Sequence, residues 1–96
     1  GIVALSIDDS KSMVMLYPNP VTSEANLSIT VNRKQKIQAR IIDNAGRIVK
    51  RFQWNISAGS TSLPVDVKEL AAGIYYLELV GTTINERKVF IKQYNQ

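Results

Sequence analysis

LAAGIYYLELV, residues 70–80, is the stretch on which the fold turns. From Tyr75 the apolar positions alternate: Tyr75, Leu77 and Leu79 share one side of an extended chain and Tyr76, Glu78 and Val80 the other, because strand side chains project with a period of two. The segment reads as a central strand of a half-buried sheet. Gly73 stands just upstream of Tyr75, at the spacing of a tyrosine corner, in which a phenol at the start of a sandwich strand bonds back to the backbone of the preceding turn. In antibody sandwiches a cysteine follows that tyrosine; Leu77 takes its place here, so the pattern implies a sandwich without the disulfide.

Working outward, the same period recurs. Leu27, Ile29 and Val31 alternate with Ser28 and Thr30, and Ile37, Ala39 and Ile41 alternate with Gln38 and Arg40, as in antiparallel strands covered on one side. Asn44, Ala45 and Gly46 form the strongest hairpin turn, with Gly46 free to take the positive φ such loops need. In the return strand Ile48, Lys50, Phe52 and Trp54 share a face while Val49 falls out of phase, which calls for a bulge. Leu63, Val65 and Val67 alternate again, with Pro64 marking an edge strand. A single helical turn is expected over residues 68–72, and the closing strand, residues 86–93, sets Val89 and Ile91 against Lys88, Phe90 and Lys92. Near the start, Pro18 and Pro20 remove two donors and hold Tyr17 and Asn19 extended, so MVMLY reads as an edge strand breaking into a turn. Before it, residues 1–13 read as a linker or upstream segment, with Ile2, Val3, Leu5 and Ile7 offering a possible further strand.

The expected fold class is therefore all-β, an immunoglobulin-like antiparallel β-sandwich of about seven strands. A chain of 96 residues, 45% hydrophobic and 21% charged, is one globular domain. The start at Gly1 fits a fragment of a longer protein, with any export signal upstream. No apolar run approaches the roughly 18 residues of a membrane helix. The net charge of +4 is spread over several strands; its densest cluster, Arg33, Lys34 and Lys36, reads as a solvated hairpin loop, so no nucleic-acid partner is expected.

Catalysis finds little to work with. Cysteine and histidine are both absent, which removes the commonest general base and the commonest metal ligands. Asp8 and Asp9 are adjacent and point apart on a strand, Asp66 and Glu69 sit where turn capping is expected, and Asp43 precedes a turn whose amides it can bind. No nucleophile elbow or phosphate loop is present. The chain is not expected to be an enzyme or to hold a cofactor or metal.

LYPNP (16–20), IIDNAGRIV (41–49), AGSTSLPVDVKELAAGIYYLEL (58–79) and RKVFIK (87–92), in that order, resemble the C-terminal sorting domain of type IX secretion cargo proteins. The resemblance spans roughly residues 14–93 and marks 14–96 as the sorting domain. It implies a non-catalytic signal that directs an N-terminal cargo domain through the periplasm and across the outer membrane by a translocon. A surface sortase would then remove it, leaving the cargo on the cell surface, joined to lipopolysaccharide, or outside. Pro18, Asn19 and Pro20 match the family's proline turn, Gly46 its hairpin glycine, and Gly73 and Tyr75 its G-x-Y; these are expected to serve structure. Lys88 and Lys92 match basic positions of the last strand, and Lys88, Val89, Phe90, Ile91 and Lys92 are the expected translocon-recognition residues, an edge strand being readable by β-addition. Two other readings stay open at this point: a fibronectin-like carbohydrate-binding or adhesion module using Trp54, and a structural spacer.

Overall fold

The computed structural model describes residues 12–94; the linker and strand expected within residues 1–11 lie outside them. Seven strands follow in order: β1 Met13–Tyr17, β2 Glu24–Val31, β3 Gln35–Asp43, β4 Ile48–Ile56, β5 Gly59–Asp66, β6 Gly73–Val80 and β7 Asn85–Lys92. They form an antiparallel sandwich of a three-stranded sheet, β1-β2-β5, and a four-stranded sheet, β4-β3-β6-β7. The all-β, immunoglobulin-like expectation is met, and β6 is an interior strand between β3 and β7.

Period-two patterning explains the core. Leu27, Ile29 and Val31 from β2 face Ile37, Ala39 and Ile41 from β3 and Tyr75, Leu77 and Leu79 from β6, all buried between the sheets. Pro64 lies on β5, the edge strand its missing N–H requires. The bulge falls at Val49: Ile41 pairs with Lys50 and Ile42 with Ile48, so Val49 is the extra residue; Lys50, Phe52, Trp54 and Ile56 hold the inward phase, whereas Ile48, expected on their face, is turned by the bulge to the outer one. Phe52 and Trp54 stack with centroids 5.2 Å apart and pack on the core margin. Beside them Lys50 reaches across the open side of the sandwich to Glu69, 2.6 Å away.

Two local expectations are corrected. The basic cluster does not sit in a hairpin loop, because β2 and β3 belong to different sheets and residues 32–34 cross between them. Residues 68–72 form no helix; a turn closed by the Leu70 N–H on the Val67 carbonyl, 3.0 Å, suffices.

Candidate functional site

Strand β7 closes the four-stranded sheet and alternates against simple hydropathy. Phe90 is 1% exposed and Lys92 3%, whereas Val89 is 54% and Ile91 46% exposed. Phe90 turns inward because a partner is waiting: its ring stacks on Tyr75 at 5.6 Å. Lys92 follows on the same side, and its ammonium donates to the Leu70 carbonyl at 3.0 Å. The Tyr75 hydroxyl donates to the neighbouring Ala71 carbonyl at 2.6 Å, so the tyrosine corner expected from Gly73 and Tyr75 is present, with Lys92 as a second clamp on the same turn. Lys88, also inward, is half-buried.

The outer edge of β7 is closed over its C-terminal half. Asn19, in the turn after β1, accepts the Ile91 N–H on its side-chain oxygen at 2.9 Å and donates its amide to the Val89 carbonyl at 3.2 Å. Its carboxamide thereby imitates one residue of a neighbouring strand. Val21 continues the imitation with backbone bonds to the Ile91 carbonyl, 2.9 Å, and from the Gln93 N–H, 2.8 Å. Pro18 and Pro20 flank Asn19 through cis peptide bonds and are exposed. Their rings supply no N–H, so neither proline adds a backbone donor to this edge.

Gly46 adopts φ +89° in the β3–β4 turn, a region that suits glycine. Asp43 organises that turn: its Oδ1 accepts the Ala45 and Arg47 N–H groups, both at 2.9 Å, and its Oδ2 accepts Arg47 Nε at 2.9 Å. The Arg47 amide, helped by the Ala45 amide and the Arg47 guanidinium, holds the Asp43 carboxyl below its ordinary range. Asp66 caps the next turn through the Lys68 N–H, which lowers its pKa in the same way, and a hydrogen bond from Lys50 lowers that of Glu69. These acids hold turns and an inter-sheet contact, and they do not converge on a cleft.

Register places the motif residues together. Gly73 pairs with Lys92, Tyr75 with both Asp43 and Phe90, and Tyr17 leads into the Pro18–Pro20 turn, so all lie at one end of the sandwich. Met13 pairs with Thr30 beside the 32–34 crossover, so the chain enters at the opposite end. Two side chains take structural roles that the residues alone did not show. Asn19 was recognisable only as a turn residue, since its partners lie 70 and 72 positions away. Gln35, buried in the inward phase of β3, bonds to the Arg33 carbonyl, Thr83 Oγ1 and the Thr83 N–H, tying the crossover to the β6–β7 loop; its phase with Ile37 and Ala39 was the available signal.

Among the described residues no helix is long and apolar enough to cross a membrane. Residues 15–93 match the family described as the secretion system C-terminal sorting domain, and the match takes in all of β2 to β7. None of the curated proteins matches the chain.

Proposed function

This chain belongs to the family of secretion system C-terminal sorting domains, the signals carried by type IX secretion cargo, and we propose that it works by presenting β7 to an outer-membrane translocon. Membership implies an N-terminal cargo and export across the outer membrane to the cell surface or beyond, and the family is non-catalytic. The finer reading is ours. Residues 14–96 act as the address label, residues 1–13 link it to the cargo, and the passage runs through the periplasm. A sortase then removes the label, which performs no chemistry of its own.

The observation that carries this reading is the exposure of Val89 and Ile91 on a strand whose other side is locked into the core by Phe90 and Lys92. Folding and recognition thus use opposite faces of one segment, Lys88 to Lys92. The inward residues set its position and the outward ones meet the partner. Among the described residues, the free edge available for strand addition is limited to the first half of β7, since Asn19 and Val21 cover the second. Trp54 gives the carbohydrate-binding alternative no support, because it stacks on Phe52 and packs against the core margin.

The test is a periplasmic reporter carrying this chain at its C-terminus in a host with type IX machinery. Surface display of the reporter, and its retention inside when residues 84–96 are deleted, is the expected result. Display that survives the deletion refutes the proposal.

A further inference from the structure

The outer face of the four-stranded sheet is divided into bands by the strand register. Val89 pairs with Tyr76, Tyr76 with Ile42 and Ile42 with Ile48, giving an unbroken apolar row across all four strands. Ile74 paired with Ile91 extends it. Ile48, Ile74, Val89 and Ile91 are each at least 38% exposed, which is a contiguous patch and not scattered single residues. The adjoining row is Arg87, Glu78, Arg40 and Arg51, again in direct register. Glu78 neutralises only part of it, at 2.9 Å from Arg40 and 3.7 Å from Arg87. Arg40 and Arg51 stand opposite each other with like charge, an arrangement that costs stability within the sheet. A depression of about 540 Å³ opens at this row, bordered by Gln38, Arg40, Arg51, Gln53, Glu78 and Val80.

Resting on the sorting reading, the geometry points to this whole face, and not β7 alone, as the docking surface for a folded protein partner whose apolar patch is bordered on one side by carboxylates. Charge complementarity selects that occupant. A second copy would bring a cationic row and a net charge of +4 against its like. A lipid leaflet would take in Ile48, Ile74, Val89 and Ile91 but not the centre of the row, where Ile42 and Tyr76 are half-buried in the sheet and the Tyr76 ring is covered by the Arg87 guanidinium at 4.3 Å. A protein surface of matching shape fills the apolar band and places acidic groups on Arg51 and Arg40. Tyrosine and arginine are enriched in such contacts. The outer face of the other sheet carries exposed Met13, Met15 and Tyr17 along its β1 edge, but these pair with Thr30, Ser28 and Asn26 on the central strand, and among the described residues no row of arginines adjoins them.

The test uses positions outside β7. The full chain behind the reporter is compared with Ile48→Thr combined with Ile74→Thr, with Arg51→Glu, with Arg51→Lys, and with Met15→Thr on the other sheet as a control that is at least as exposed. All are first checked for a melting temperature no lower than the parent's, Arg51→Glu being expected to melt higher because it relieves the Arg40–Arg51 repulsion, and if the isoleucine pair melts lower the two single Ile→Val variants take its place. The inference expects export to fall about tenfold for the isoleucine pair and for Arg51→Glu, with Arg51→Lys and Met15→Thr unaffected. Parent-like export by both the pair and Arg51→Glu overturns the face while leaving the β7 reading intact. A parent chain that is not exported fails the sorting reading itself. Flotation with phosphatidylethanolamine–phosphatidylglycerol vesicles, or a dimer in sedimentation equilibrium, abolished by the same substitutions, overturns the choice of a protein partner.

Discussion

Replacing Phe90 by alanine separates the two faces of β7 most sharply. Phe90 is 1% exposed and stacked on Tyr75, so its truncation leaves a cavity at the sandwich end where the tyrosine corner and Lys92 meet. Large-to-small changes of a buried phenylalanine cost about 3–5 kcal/mol, against the roughly 5–15 kcal/mol that holds a typical domain together. The neighbouring Val89 is 54% exposed, so Val89→Thr keeps its shape and β-branching and changes stability by no more than about 0.5 kcal/mol. In urea, with a slope of about 1–2 kcal/mol/M, Phe90→Ala lowers the midpoint by roughly 1.5–5 M and Val89→Thr leaves it nearly in place. Were the strand shifted by one residue, Val89→Thr would bury a hydroxyl and cost about 1–3 kcal/mol. Equal midpoints for the two variants, or a lower one for Val89→Thr, refute the facing of β7 and everything built on it.

Three further outcomes follow from the structure. Gly81→Ala places a Cβ 2.6 Å from Gln35 Oε1, 2.6 Å from Ile37 Cδ1 and 2.8 Å from Ile84 Cγ2, so a loss of about 1–3 kcal/mol in equilibrium unfolding is expected, and an unchanged midpoint would contradict that packing. Asn19→Ala removes both side-chain bonds to β7. The Ile91 amide should then exchange about tenfold faster while the Leu79 amide in the sheet centre keeps its protection, and equal rates at Ile91 in parent and variant refute the edge closure. Asp43, held below its ordinary value of 3.8 by the Arg47 amide, takes up its proton at lower pH when folded than when unfolded. Its contribution to stability is full above that ordinary value and is lost as pH falls through the lowered one. Asp43→Asn should therefore flatten the acid limb of stability against pH, and an acid limb as steep as the parent's would argue against the turn network.

What could be read from the residues was whatever local periodicity decides. Alternation in β2, β3 and β6 named the core residues because a one-residue slip would turn every apolar side chain outward. The bulge at Val49 was demanded by phase, yet its position depends on Ile42 and Ile41 across the hairpin. The 32–34 crossover was misread as a hairpin because alternation on either side of a turn says nothing about which sheet the next strand joins. For β7, Val89 and Ile91 look like core residues, and only the distant Tyr75 ring explains why Phe90 takes the inward place. Asn19 could be read as a residue of the proline turn but not as a strand neighbour, since that role depends on a contact made 72 positions away. Likewise the apolar and arginine bands become visible only once four strands are set in register.

Dependence on the export machinery itself tests the central claim most directly. The reporter bearing the full chain is expressed in a type IX-competent cell and in the same cell lacking the outer-membrane translocon, and reporter on the surface is quantified by protease accessibility. Display in the first and none in the second is the predicted result. Equal accessibility in both would show that the chain reaches the surface, if at all, without being read.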